Sequence, residues 1–335
     1  MIDFSVVICT YNGAHRLPRV LERLKRQQAT ETIRWEVLVI DNNSSDETLA
    51  VVRHYQQVWI DTVPLRYHFE HKQGLAYARR CAMRRVKAPL VGFLDDDNFP
   101  QETWVHEAHQ FGLQHPGAGA YGSEVKPLYD APPPVGFGRI APLLAIINRG
   151  DQPFIYTQRL GVLPSGAGMV VRREAWFGHV PEQPKLAGVC DTSLRAKGED
   201  VETLSYIRDA GLQVWHNPAM KIEHHISVER VQRTYLLKLC RSVGLNRFPL
   251  RMIRYRPWQR PFVLPLYMLN DLRRLLVYLI RHHHSLPKDD VCACEFILLS
   301  SSLVSPMYHA FGHLTVFRKN WLMATIPMDI LRFTR

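Results

Sequence analysis

Along the first 125 positions, apolar residues alternate between two rhythms. Phe4–Thr10 is a nearly continuous apolar run, the pattern of a strand buried on both faces of a parallel sheet. Leu17, Val20, Leu21 and Leu24 follow at steps of three and four, which places them on one helix face. Trp35–Ile40 repeats the strand rhythm. Ser45 and Asp46 then offer a helix cap, and Leu49, Val51, Val52 and Tyr55 supply the next apolar face. Leu65–Phe69 and Leu90–Leu94 predict two more strands, with Leu75, Ala78, Ala82 and Val86 on the helix between them. This alternation predicts an α/β sheet with helices packed on it. From about Gly117 to Pro164 the rhythm weakens, and Pro132-Pro133-Pro134 with Gly136 and Gly138 predicts an irregular loop. Patterning resumes with a strand at Gly166–Val171, a helix at Glu199–Ala210 and a strand at Leu212–His216.

The strands end in polar clusters: Thr10-Tyr11-Asn12, Asp41-Asn42-Asn43 and Asp95-Asp96-Asp97. In open α/β sheets ligands bind beyond the carboxyl ends of the strands, so these distant segments are expected to converge on one site. Three adjacent carboxylates raise one another's pKa unless a cation shares them. Hard oxygen donors suit Mg²⁺ or Mn²⁺, which bind through one or two carboxylates and a substrate's phosphates. A second acidic element, Gly198-Glu199-Asp200-Val201-Glu202, opens a helical stretch, where a carboxylate either complements the helix dipole or serves as a general base. His224 and His225 follow a strand-like run, and either imidazole can complete a metal site.

Charge divides the chain. Residues 1–225 carry 25 basic and 25 acidic side chains, whereas residues 226–335 carry 17 basic and 6 acidic ones, so the whole net charge of +11 lies in the last third. With 46% apolar residues the 335-residue chain is not a disordered one. Six scattered cysteines do not suit a secreted disulfide scaffold, which points to a reducing, cytoplasmic setting. The start shows no signal-peptide pattern. No second ligand pair at zinc spacing accompanies Cys292 and Cys294, so structural zinc is not expected.

These pieces, in this order, resemble glycosyltransferase family 2, nucleotide-sugar enzymes of the GT-A fold. The resemblance runs from about Phe4 to about Gly244. It is carried by Val6-Val7-Ile8-Cys9-Thr10-Tyr11-Asn12, by Glu36 to Asp46, by Gln73-Gly74-Leu75-Ala76-Tyr77-Ala78-Arg79, by Phe93-Leu94-Asp95-Asp96-Asp97, by Gly166-Ala167-Gly168-Met169 and by Gly198-Glu199-Asp200. It implies a Rossmann-like, mostly parallel central sheet flanked by helices. The catalytic domain would occupy residues 1–225, with a nucleotide-sugar half to about 125 and an acceptor half over 126–225. A basic, mainly helical extension would follow over 226–335.

By the same resemblance, Thr10, Tyr11, Asn12, Asp41, Arg79, Asp95 and Asp96 would contact the nucleotide-sugar, with a UDP-sugar favoured. Asp97 and Asp95 would hold Mg²⁺ or Mn²⁺ with His224 or His225. Asp200 would be the base of an inverting transfer, with Glu199 beside it. Arg80 stands where the family often has Asn. The Gln-x-x-Arg-Trp element of processive synthases is not reproduced in Arg230–Tyr235, so transfer of one sugar is expected. A nucleotidyltransferase would open with a Gly-rich phosphate loop, which is missing after Cys9. A catalytically inactive GT-A scaffold that binds a membrane or nucleic acid is the non-enzymatic alternative, and intact Asp95, Asp97 and Asp200 argue against it.

Residues 230–260 contain nine Arg or Lys and no acid, with Val231, Tyr235, Leu236, Leu239, Cys240 and Val243 on one helical stripe. The run 262–280 is apolar but broken by Asp271, Arg273 and Arg274, which argues against a bilayer span. The run 296–317 has no charged residue, yet four serines, Pro306, His309, Gly312 and His313 dilute it, favouring burial or interfacial contact over spanning. No nucleic-acid motif accompanies the basic surplus. The extension is therefore expected to meet an anionic membrane surface, peripheral at the inner face of the plasma membrane. There a saccharide or polyprenyl-diphosphate-linked acceptor would be presented, as in cell-surface or extracellular polysaccharide synthesis.

Overall fold

A computed structural model describes residues 2–157, 162–183, 186 and 198–311. Cys190, Lys197 and the part of the 296–317 run beyond Phe311 lie outside the described residues. The chain forms two compact units. The first comprises residues 1–130, 145–193 and 199–226; the second comprises 131–144, 194–198 and 227–335.

In the first unit the elements run β1 (Phe4–Thr10), α1 (Leu17–Lys25), β2 (Trp35–Asp41), α2 (Thr48–Gln57), β3 (Leu65–Phe69), α3 (Leu75–Arg85), β4 (Leu90–Asp95), β5 (Asn98–Pro100), α4 (Trp104–Gln114), β6 (Ala118–Tyr129), β7 (Phe154–Ile155), β8 (Met169–Arg172), α5 (Arg173–His179), α6 (Glu199–Asp209) and β9 (Gln213–Ile226). They build one sheet in the order β3-β2-β1-β4-β8-β6-β9-β5, with β7 pairing β9. The alternation of side chains along each strand divides the core between the two faces. Val6, Ile8, Val37 and Val39 pack on one face with Leu17, Leu21 and Trp104. Val7, Leu38 and Ile40 pack on the other with Ala78, Ala82 and Met83. The sheet is parallel from β3 to β4 and again between β6 and β9; of the eight strand pairings described, four are parallel and four antiparallel. The antiparallel pairings all involve the short strands β5, β7 and β8, while the longer ladders are parallel, as expected.

The weakly patterned stretch after Gly117 contains a twelve-residue strand, β6. Its start, Ala-Gly-Ala-Tyr-Gly, lacks the β-branched residues that announce a strand. Two neighbours, β8 and β9, supply the ladder instead, and the missing side chains make room for others. A Cβ at Gly119 would come within 2.6 Å of Ile207.

The second unit is helical: α7 (Val228–Val231), α8 (Arg233–Leu245), α9 (Arg247–Met252), α10 (Arg260–His282) and α11 (Asp290–Phe311). The predicted stripe buries Leu236, Leu239 and Cys240 on α8. Helix α8 lies close against α11, where a Cβ at Gly244 would come within 2.6 Å of Ser301 and 2.8 Å of the Leu298 carbonyl. Three of the four serines that dilute the apolar run, Ser301, Ser302 and Ser305, are buried here. Ser305 Oγ donates to the Leu245 carbonyl, and Ser302 Oγ to that of Leu298. By length and composition Asp290–Ala310 is apolar enough to cross a membrane, but it packs along α8 and α10.

Candidate active site

Beyond β1, β2 and β4 the chain turns sharply, and side chains hold the turns. Asn12 and Asn43 adopt left-handed backbone angles, φ 47° and 70°, which asparagine tolerates better than most residues. Asn12 Oδ1 accepts the Ser45 N–H at 2.9 Å, and the Asn12 N–H donates to Ser44 Oγ at 2.9 Å, so the loops after β1 and β2 lock together. Asp41 is buried at the end of β2. It accepts the Tyr67 hydroxyl at 2.8 Å and the Ser44 N–H at 2.9 Å. Asn42 fixes the segment before α3 by accepting the Gly74 N–H at 2.7 Å and donating to the Lys72 carbonyl at 2.8 Å.

The three aspartates do not share one environment. The Asp96 carboxylate is turned into the protein, where Arg16 donates to it from Nε at 2.7 Å and from its terminal nitrogen at 2.9 Å, and Thr10 Oγ1 donates at 2.6 Å. Both Thr10 and Asp96, expected at the donor, are thus engaged with each other. The same guanidinium donates to the Tyr11 and Asn12 carbonyls, so Asp96 and Arg16 brace the loop that carries Tyr11 and Asn12. Gly13 permits this, because a Cβ there would lie 2.6 Å from Asp96 Oδ2.

Asp97 faces the other way. One oxygen accepts the Asn98 side-chain amide at 2.9 Å, and the other lies 3.4 Å from His224 Nε2. The register explains the choice of histidine: Asn98 pairs with His224 across β5 and β9. With side chains alternating along β9, His225 falls on the opposite face. There it stacks on Phe99 and bonds Asp130 at 2.8 Å. The structure brings His224, and not His225, to the aspartates.

Asp95 lies 3.7 Å from Arg79, whose guanidinium is buried and reaches Glu199 at 3.2 Å. Arg79 therefore joins the end of β4 to the start of α6. Gly166 lets it fit, since a Cβ there would collide with the guanidinium. Glu199 is buried, and its carboxyl is pushed up to about 7, chiefly by burial and then by Asp200, with Arg79 opposing. Asp95 is pushed up to about 6, again chiefly by burial, with Arg79 opposing and Asp97 adding. Asp200, in the first turn of α6, accepts the Gly166 N–H at 2.7 Å and the Val201 N–H at 2.8 Å.

For a divalent cation the site offers an oxygen and a nitrogen donor, Asp97 and His224. Among the described residues no group of three or more His, Cys, Asp or Glu is placed to enclose an ion. Two protein donors with Asp95 adjacent fit an ion completed by substrate phosphate and water, the usual manner of Mg²⁺ and of Mn²⁺ in such sites. Arg16 and Asn98 are the residues that sequence reasoning missed. A run of three aspartates signals that cations must lie near, but not which ones.

A carboxylate cluster beyond the ends of a mixed α/β sheet, with the β4 aspartates facing a helix-borne acid pair across a buried arginine, has the architecture of the GT-A fold. Solved structures share this fold. The mannosyltransferase of Pyrobaculum calidifontis in complex with GDP-Man and Mn²⁺ superposes with a TM-score of 0.55 at 16% identity, over 92% of this chain and 87% of that one. Staphylococcus aureus TarS in complex with UDP-GlcNAc superposes with a TM-score of 0.51 at 12% identity, over 93% and 92%. Residues 5–130 match the family model described as glycosyl transferase family 2. Validoxylamine A glucosyltransferase of Streptomyces hygroscopicus is 43% identical over 93 residues, 27% of this chain; the match spans about a fifth (21%) of that relative's length.

Proposed function

We propose that the chain is an inverting, metal-dependent glycosyltransferase that moves one sugar from a nucleotide-sugar, a UDP-sugar by preference, to an acceptor hydroxyl. The observation that carries this reading is the single cluster of Asp95, Asp97, His224, Arg79, Glu199 and Asp200 at the strand ends. The family-model match over residues 5–130 and the nucleotide-sugar complexes of the two structural neighbours support it.

Asp200 removes the acceptor proton while the hydroxyl oxygen attacks the anomeric carbon; the bond from that carbon to the diphosphate breaks on the opposite face and the nucleoside diphosphate departs. The Gly166 N–H holds the Asp200 carboxylate in place and leaves lone pairs for the incoming proton. Arg79, fixed between Asp95 and Glu199, keeps the donor-side and acceptor-side carboxylates at a constant separation. Asp97 and His224 would hold Mg²⁺ or Mn²⁺, which when bound neutralises charge on the leaving diphosphate. Asp41 and Tyr67 present polar groups where a base edge would lie. The basic charge of the second unit supports a position at the cytoplasmic face of the membrane, with a saccharide or a lipid-diphosphate-linked sugar as acceptor.

The test is donor turnover with a panel of UDP-, GDP- and dTDP-sugars, with and without Mn²⁺ or chelator, and with the product anomer read by NMR. Asp200→Asn is expected to lower kcat by about 10²–10⁴-fold while a donor-induced thermal shift persists. Near-normal turnover in this variant removes Asp200 as base, a retained anomeric configuration removes inversion, and unchanged turnover in chelator removes the metal.

A further inference from the structure

Helix α10 turns an apolar face outward. Phe262, Leu266, Leu269 and Ile280 are 71%, 67%, 65% and 75% exposed, and Leu272 and Leu276 lie exposed among them. Steps of three, four and seven place Phe262, Leu266, Leu269, Leu276 and Ile280 on one face of the helix. The rotation of the helix is set by polar contacts on its other side. Asp271 is buried there and accepts from Arg251 at 2.9 Å, and the Tyr278 hydroxyl donates to the Cys292 carbonyl and to Glu295, both at 3.0 Å. Turning the apolar face inward would break all three. Exposed apolar area on this scale in a soluble protein marks an interaction surface.

We infer that this face of α10 is a docking surface for an anionic lipid interface, with the helix lying in the headgroup plane; the inference rests on the membrane placement proposed above and names the element responsible for it. Spanning is excluded by the buried Asp271 and by Arg273 and Arg274 at mid-helix. Charge selects the occupant. Residues 247–284 hold eight arginines and one acid, Asp271, which Arg251 already engages. Three further acids among the described residues of the unit are committed too: Asp290 faces Arg233, while Asp289 and Glu295 face Arg139. Arginines flanking an apolar stripe, with exposed Trp258 just before it, match the pattern of a helix bound at a membrane surface. Arg273 lies within the stripe, and its long stem can lie along the acyl boundary while the guanidinium reaches phosphate. A second copy of the chain would instead bring two arginine-rich flanks together with no exposed acid on α10 to pair them.

Flotation of the full chain tests this, with vesicles of phosphatidylcholine plus phosphatidylglycerol against phosphatidylcholine alone. The wild type is expected to float with the anionic vesicles and to be released by salt. Leu266→Glu with Leu269→Glu is expected to lower partitioning by about tenfold or more while the thermal shift with a UDP-sugar is unchanged. Arg254→Gln with Arg256→Gln, which leaves the apolar face intact, is expected to weaken only the anionic preference. Equal flotation of the leucine variant overturns the role of α10 while leaving membrane binding in place. Absence of wild-type flotation overturns both, without bearing on sugar transfer. Equal binding to neutral vesicles overturns the anionic requirement. A wild-type dimer that the leucine variant dissociates, with flotation unchanged, assigns the face to a second copy.

Discussion

The α/β unit and the helical unit place arginine and apolar residues in opposite ways. In the first, Arg79 is buried between Glu199 and Asp95, and a half-buried Arg16 bridges Asp96 and the loop after β1; both sheet faces are covered. In the second, arginines that far outnumber the acids flank a helix whose large apolar side chains face outward. The difference matches the ligand proposed for each unit. A charged, water-soluble donor is held by groups fixed in advance, which requires rigid charges with internal partners. A diffuse anionic surface is held by many replaceable contacts, which requires exposure.

The comparison breaks first at Arg79. Replacing it with Met leaves Glu199 and Asp95 facing each other without their cation, and a loss of about 3–5 kcal/mol is expected in urea unfolding. A loss below about 1 kcal/mol would mean that the buried charge does not hold the α/β site. The second test lies within the helical unit, whose inner packing is as tight as its outer face is open. Gly→Ala within a helix ordinarily stabilises by about 1 kcal/mol. Gly244→Ala is expected to reverse that sign and cost about 1–3 kcal/mol, because its Cβ meets backbone of α11. A stabilised Gly244→Ala protein would show that α8 and α11 are free to separate.

The smallest effect is in the pH profile. Glu199 is raised from 4.5 to about 7, so the folded state retains a proton that the unfolded chain releases. Its contribution is complete below about pH 4.5 and is lost as pH rises through 7. The Tm difference between wild type and Glu199→Gln is therefore expected to move against the wild type over that window. A constant difference would show that Glu199 is charged throughout.

The elements of the parallel half were legible because each carries its own period: Phe4–Thr10 and Trp35–Asp41 have buried faces on both sides, and Leu17 to Leu24 fill one helix stripe. Strand β6 was not, because its glycines and alanines are chosen for the space their neighbours occupy. The aspartate run was visible as a site, but its division of labour was not. Asp96 as an internal brace depends on Arg16, eighty residues away, and Asp97 with His224 depends on the pairing of β5 with β9.

By itself the sequence determined the order of the elements, the polar strand ends and the concentration of positive charge in the last third, since periodicity, loop chemistry and net charge are local or additive properties. Tertiary structure alone decided which histidine meets Asp97, which aspartate turns inward and which face of α10 looks outward. Those depend on strand register and helix rotation, each fixed by contacts between residues far apart in the chain.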